Sequence, residues 1–176
     1  MDTSAEWIVQ RTGVSERRVS QRDKGESTTQ FACESLSRAI DDSGLTARDL
    51  DLIICATMTP EMPTPAVACR VASILGTNNV GAFDLNAACC GFVFACNTAA
   101  ALIENGPYKN IGVIGVGTVT SMLDFSTRGR NTAIIFGGGA GAIVLQATPD
   151  TSKGVIAQTM RSDGEGWKDI FVPRCE

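Results

Sequence analysis

The 176 residues fit one domain of ordinary size or a piece of a larger one. With 44% hydrophobic and 19% charged residues the chain can bury a real core, which excludes disorder, and a net charge of −4 without a dense basic stretch excludes a nucleic-acid footprint. No apolar run is expected to span a membrane, the longest candidate being the Gly-rich Ile111 to Val119, and the polar start Met1-Asp2-Thr3-Ser4-Ala5-Glu6 does not read as a secretory signal, so a cytoplasmic location is expected.

Ser27 to Ser43 predicts a helix: Ala32, Leu36, Ala39 and Ile40 share one face and Gly44 ends it. Asp51 to Thr57 is a short apolar run suited to a strand buried on both faces. A second helix is expected from Thr64 as N-cap and Pro65 in the first turn, running to Leu75 and stopping at Gly76. A strand at Val80 to Leu85 leads into a long apolar helix from Cys89 to Asn105, ended by Gly106-Pro107. Further strands are expected at Ile111 to Val116, Thr132 to Phe136 and Ala140 to Gln146, and the start of another at Gly154 to Thr159. Strands alternating with helices predict an α/β fold, with a parallel-rich sheet made mixed by its last strands and helices on both faces.

Seven cysteines are present, Cys33, Cys55, Cys69, Cys89, Cys90, Cys96 and Cys175, with no C-x-x-C pair among them. All except Cys89 read as small hydrophobes in a reducing compartment. Histidine is absent, so a zinc site would need thiolates alone at a spacing that does not occur, and any Cys-His or Ser-His mechanism would have to take its base from outside these residues.

Phe83-Asp84-Leu85-Asn86-Ala87-Ala88-Cys89-Cys90-Gly91-Phe92 carries the chemistry. A buried strand ends, small residues turn sharply, and a long helix begins. A thiol there lies near free backbone N–H groups and the positive end of the helix dipole, which favour thiolate and can hold an oxyanion. The spacing alone does not say whether Cys89 or Cys90 faces a cavity, and a tightly packed structural turn would have the same sequence.

These residues resemble a family. Glu6-Trp7-Ile8-Val9-Gln10-Arg11-Thr12-Gly13-Val14-Ser15-Glu16-Arg17-Arg18 is similar to the early segment of β-ketoacyl-acyl carrier protein synthase III. So are Ala56-Thr57-Met58-Thr59-Pro60 with Pro65 and Cys69, the segment Asp84 to Phe92, and the glycine turn Phe136 to Ala142, in the family's order. The resemblance implies a thiolase-like fold. This chain would be one layered half, a mixed five-stranded sheet with helices on both faces, of a duplicated α-β-α-β-α architecture that works as a homodimer. Residues 1–148 would be the incomplete N-terminal half carrying the nucleophile, and 149–176 the truncated start of the C-terminal half.

It further implies an acyltransferase that condenses an acyl-CoA primer with malonyl-acyl carrier protein through an acyl-cysteine, starting fatty acid synthesis. Coenzyme A thioester serves as substrate and no cofactor is needed. Cys89 aligns with the acylated cysteine of the A-C-x-G-F pattern, and Cys90 with the variable, usually small, position after it. Trp7 and Arg11 match residues that contact the CoA adenine and phosphates, an indole face for a purine and a guanidinium for phosphate. A second adenine-contacting arginine falls on Arg128 or Arg130, depending on whether it is counted from Cys89 or from Phe136. Thr64 falls where the family lines its acyl pocket, and a threonine there leaves space for longer or branched primers. Acyl transfer in a polyketide or quinolone pathway, or a non-catalytic half-subunit of a heteromer, are the alternatives.

The sequence departs from the family in three places. Gly138 replaces the aspartate of the usual G-D-G-A-G turn, a strand and loop expected before Trp7 are lacking, and the half that carries the catalytic histidine and asparagine is not present. As it stands, the chain is expected to present the nucleophile but not the decarboxylation machinery.

Overall fold

The computed structural model describes residues 1–77 and 79–172. In chain order the elements are α1 (Ala5–Thr12), α2 (Thr28–Ser43), β1 (Leu52–Ala56), α3 (Val67–Leu75), β2 (Gly81–Leu85), α4 (Gly91–Asn105), β3 (Asn110–Gly117), α5 (Arg130–Ala133) and β4 (Gly139–Gln146). The sheet order is β2-β1-β3-β4; β1 runs parallel to both β2 and β3, and β4 runs antiparallel to β3. Among the described residues the mixed sheet therefore has four strands rather than the expected five.

All five residues of β1 are buried, because helices cover both of its faces and each alternate side chain finds an apolar layer. Ile53 and Cys55 join Ala32, Leu36, Ile40, Val67 and Val71 beneath α2 and α3. Leu52, Ile54 and Ala56 join Ala95 and Ala99 of α4 on the opposite face. β3 repeats the alternation, with Ile114 and Val116 on the first side and Ile111 and Val113 on the second.

Two glycines of β3 set how closely the helices approach. A Cβ at Gly112 would lie 2.9 Å from Leu36 Cδ1, and one at Gly115 would lie 2.9 Å from Phe92 Cδ2. The first admits α2 and the second admits the opening turn of α4. Gly91 adds to the seating, since a Cβ there would meet Ala56 Cβ at 3.3 Å.

Polar ties gather where β1, β2 and β3 end. Buried Thr28 donates to the Thr59 carbonyl at 2.6 Å and its hydroxyl meets that of Thr118 at 2.9 Å, while Thr118 N–H donates to Thr59 Oγ1 at 3.0 Å. Glu61 accepts from Thr29 N–H (2.7 Å) and Thr29 Oγ1 (3.0 Å), capping α2, and pairs with Arg70 at 2.9 Å. Burial alone would raise the Glu61 carboxyl; the Thr29 hydrogen bonds and Arg70 outweigh it and hold it below its ordinary value.

Four expectations need correction. Thr64 is not the N-cap of α3: the helix starts at Val67 and its free N–H groups are taken by Asp84, whose carboxylate accepts from Val67 (2.7 Å) and Ala68 (2.9 Å). Residues 132–136 are not a strand. The N–H groups of residues 132–135 bond back to the carbonyls of Gly129, Arg130 and Thr132, so the run ends α5 and turns, with Ala133 and Ile134 buried and Ile135 exposed. Residues 154–159 form no strand either, because nothing covers their apolar side chains; Ile156 is 99% exposed. Finally, Ala88–Asn105 is an apolar stretch of 18 residues, long and apolar enough by composition to cross a membrane. Its Gly91, Ala95, Ala99 and Ala100 are buried, and Ala95 and Ala99 belong to the sheet-side core.

Removing the Asp84 carboxylate exposes its role. Asp84→Ala is expected to cost about 1–3 kcal/mol in urea unfolding, since two helix N–H groups lose a charged acceptor. Glu61 has a lowered pKa when folded, so its contribution is present above its unfolded value and is lost as pH falls through the folded one. Glu61→Gln should therefore flatten that part of the loss of urea midpoint that sets in as pH falls below about 5.

Candidate active site

Cys89 sits in a single 3₁₀ turn, Ala88–Cys90, between β2 and α4. Ala88 takes φ +46°, a left-handed conformation that a non-glycine residue seldom adopts. Asn86 Oδ1 accepts from Ala88 N–H at 3.3 Å and so braces the turn. The Gly91–Ala56 and Phe92–Gly115 contacts hold the following helix down on the sheet. The thiol thus lies beyond the carboxyl end of β2, the edge at which open α/β sheets place their ligands.

Cys89 and Cys90 are both exposed. The N–H groups at this helix start are not all free, in contrast to the expectation. Cys90 donates to the Ala87 carbonyl at 3.1 Å and Gly91 donates to that of Ala88. The positive helix end remains beside the thiol, but those two donors are already engaged.

The remaining cysteines divide in two. Cys33 and Cys55 are buried, Cys96 is partly so, and burial pushes all three thiols up, which keeps them neutral. Cys69, expected to be a buried hydrophobe, is exposed, with its Sγ 3.6 Å from the Ala82 carbonyl. Cys175 lies outside the described residues. Among the described residues no cluster of His, Cys, Asp or Glu could hold a metal ion.

Trp7, Arg11 and Arg130 come together. The Arg11 guanidinium carbon lies 4.1 Å from the Trp7 ring centroid and that of Arg130 lies 4.6 Å from it. Helix α1 supplies the first pair through their i,i+4 spacing, Ser4 caps it, and Gly13 in the left-handed region ends it. Arg128 stays apart from this group: it is exposed and pairs with Asp124 at 3.3 Å. Thr64 is exposed in the loop before α3, which Asp84 ties to β2 five residues before Cys89. Sequence reasoning missed Asp84 and Glu61 as organisers of this edge. A carboxylate inside the apolar strand Gly81–Leu85 was the available signal.

The exposures predict an order of alkylation. In limiting iodoacetamide under native conditions, Cys69, Cys89 and Cys90 should be labelled well before Cys33, Cys55 and Cys96. Peptide mass spectrometry reads this directly, and early labelling of Cys55 would contradict the packing described.

Comparison with known proteins accords with this geometry. The family profile of 3-oxoacyl-[acyl-carrier-protein (ACP)] synthase III matches residues 83–164. Over 172 residues the chain is 46% identical to beta-ketoacyl-[acyl-carrier-protein] synthase III of Chlorobium luteolum, which covers 98% of this chain and 51% of the relative. The crystal structure of 3-oxoacyl-(acyl carrier protein) synthase III from Pseudomonas aeruginosa PAO1 superposes with a TM-score of 0.90 at 36% identity, over 99% of this chain and 53% of that one. A priming β-ketosynthase from a polyketide biosynthetic pathway superposes with a TM-score of 0.78 at 34% identity, over 84% and 43%. The α/β fold is thus of the thiolase-like type expected, and the chain spans about half the length of the curated relatives it matches. In sequence and fold the chain is thus similar to about half of a 3-oxoacyl-[acyl-carrier-protein] synthase III.

Proposed function

We propose that this chain supplies the nucleophile of a condensing acyltransferase that takes an acyl group from acyl-CoA onto Cys89 and joins it to malonyl-acyl carrier protein with loss of carbon dioxide, at the start of fatty acid synthesis. The observation that carries the reading is the exposed Cys89 on a strained turn at the foot of α4, beyond the carboxyl end of β2. In the first step the Cys89 thiolate attacks the thioester carbonyl, coenzyme A leaves as thiolate, and the acyl group remains on sulfur. The nearby helix end favours the negative charge that develops. Malonyl decarboxylation needs further groups, and these 176 residues contain no histidine to provide them. Residues 1–148 are proposed as the nucleophile-bearing half and 149–176 as the start of the next, in a protein that works in the cytoplasm as a homodimer and needs no cofactor.

Trp7, Arg11 and Arg130 are proposed to hold the coenzyme, and their clustering favours Arg130 over Arg128 for the second arginine. The open face of α4, with Val93 56% exposed, supports a covering second half. The likeness to a polyketide priming ketosynthase keeps that pathway as the second reading.

Incubation with acyl-CoA followed by peptide mass spectrometry tests the nucleophile. The acyl mass should appear on Cys89, persist in Cys90→Ala and vanish in Cys89→Ala; an adduct confined to Cys90 would overturn the assignment. A primer series extends the test to Thr64: longer or branched acyl-CoAs should acylate at rates comparable with acetyl-CoA, and strict acetyl preference would contradict the pocket reading.

A further inference from the structure

The coenzyme-contact residues are packed against one another rather than held apart. A purine stacked between an indole and a guanidinium needs about 3.5 Å on each side, about 7 Å in all. Arg130 lies 4.6 Å from the Trp7 centroid, so a base does not fit between them as they stand.

Arg130 is also clasped from outside the ring. Its Nη1 donates to the Asp2 carbonyl at 2.7 Å, and Asp2 N–H in turn donates to Thr127 Oγ1 at 3.2 Å. The Thr127 carbonyl accepts from Arg130 N–H at 3.4 Å, which makes Thr127 the common anchor of the strap and the arginine. The grip is incomplete: Arg130 Nε is shielded from solvent and has no hydrogen-bond partner. A donor buried without an acceptor is unfavourable, so movement of the guanidinium into water relieves it. The closed arrangement is therefore held by the stack and the Asp2 strap against a local cost, which suits a part that moves.

We propose that Arg130 plugs the base-binding slot of the free protein, that Asp2 and Thr127 act as positioning residues holding it shut, and that the coenzyme adenine enters by displacing the guanidinium at least about 2.5 Å from the Trp7 face. The inference rests on the reading of Trp7, Arg11 and Arg130 as coenzyme contacts. It goes beyond that reading by making coenzyme affinity depend on Thr127, a residue whose own contacts are to the strap and to α5.

The test uses 1,N6-etheno-coenzyme A, whose base fluorescence reports stacking, in stopped-flow binding. Thr127→Val removes the acceptor that anchors Asp2 and leaves Arg130 free to meet the base. It should bind about two- to fivefold more tightly and associate faster, because less of the protein is trapped in the closed state. Thr127→Ser, which keeps the acceptor, should behave like the parent. Arg130→Ala should also associate faster, although it releases the base sooner. A Thr127→Val protein that binds no more tightly than the parent overturns the plug, as does unchanged or slower association in Arg130→Ala; neither result touches the coenzyme reading. Failure of the parent and all three variants to bind the probe at all overturns the coenzyme reading and the plug together.

Discussion

The structure depends on how closely the foot of α4 sits on the sheet. Phe92 packs where Gly115 has no side chain, and Gly91 lies against Ala56, so the backbone around residue 91 comes close to β1 and β3. A helix seated this low has to leave β2 by a very short turn, and Ala88 takes the left-handed conformation that such a turn demands. Cys89 is carried to the rim as a result. Its exposure follows from packing several residues away, and a larger side chain at position 91 or 115 would lift the helix and the thiol with it.

Around the same rim, chain segments distant in sequence are joined by polar groups rather than apolar ones. Thr28, Thr59 and Thr118 tie the start of α2 to the loops after β1 and β3. Asp84 ties α3 to β2, and Glu61 ties the loop after β1 to α2 and α3. Each bond satisfies a group that the fold would otherwise bury alone. Together they brace the carboxyl edge of the sheet on which Cys89 and the loop carrying Thr64 sit, whereas Trp7, Arg11 and Arg130 are built on α1 and the start of α5.

Much of this was legible in the sequence because the determining signals are local. The buried strand Leu52–Ala56, the helix between Ser27 and Gly44 and the apolar helix ending at Asn105 follow from periodicity and caps within a few residues. What was missed depends on distant partners. Thr64-Pro65 has the form of a helix start, yet α3 begins where Asp84 reaches it from another strand. Residues 132–136 and 154–159 have strand composition, but the N–H groups of the first bond back within their own turn and no layer covers the second. Motif register left Arg128 and Arg130 level, and the three-dimensional approach of Arg130 to Trp7 is a contact that no spacing rule contains. Exposure of Cys69 and Cys90 was likewise invisible in a pattern that treats every cysteine but Cys89 as a small hydrophobe.

We propose that Cys89, carried to the rim by one short turn, is the acyl acceptor. A crystal structure of the acylated protein tests it most directly. Continuous density is expected from Cys89 Sγ to a thioester carbonyl, with Phe92 still seated against Gly115 and Ala88 still left-handed. Density joined to Cys90 Sγ, or an acylated state in which α4 has moved off the sheet, would contradict it.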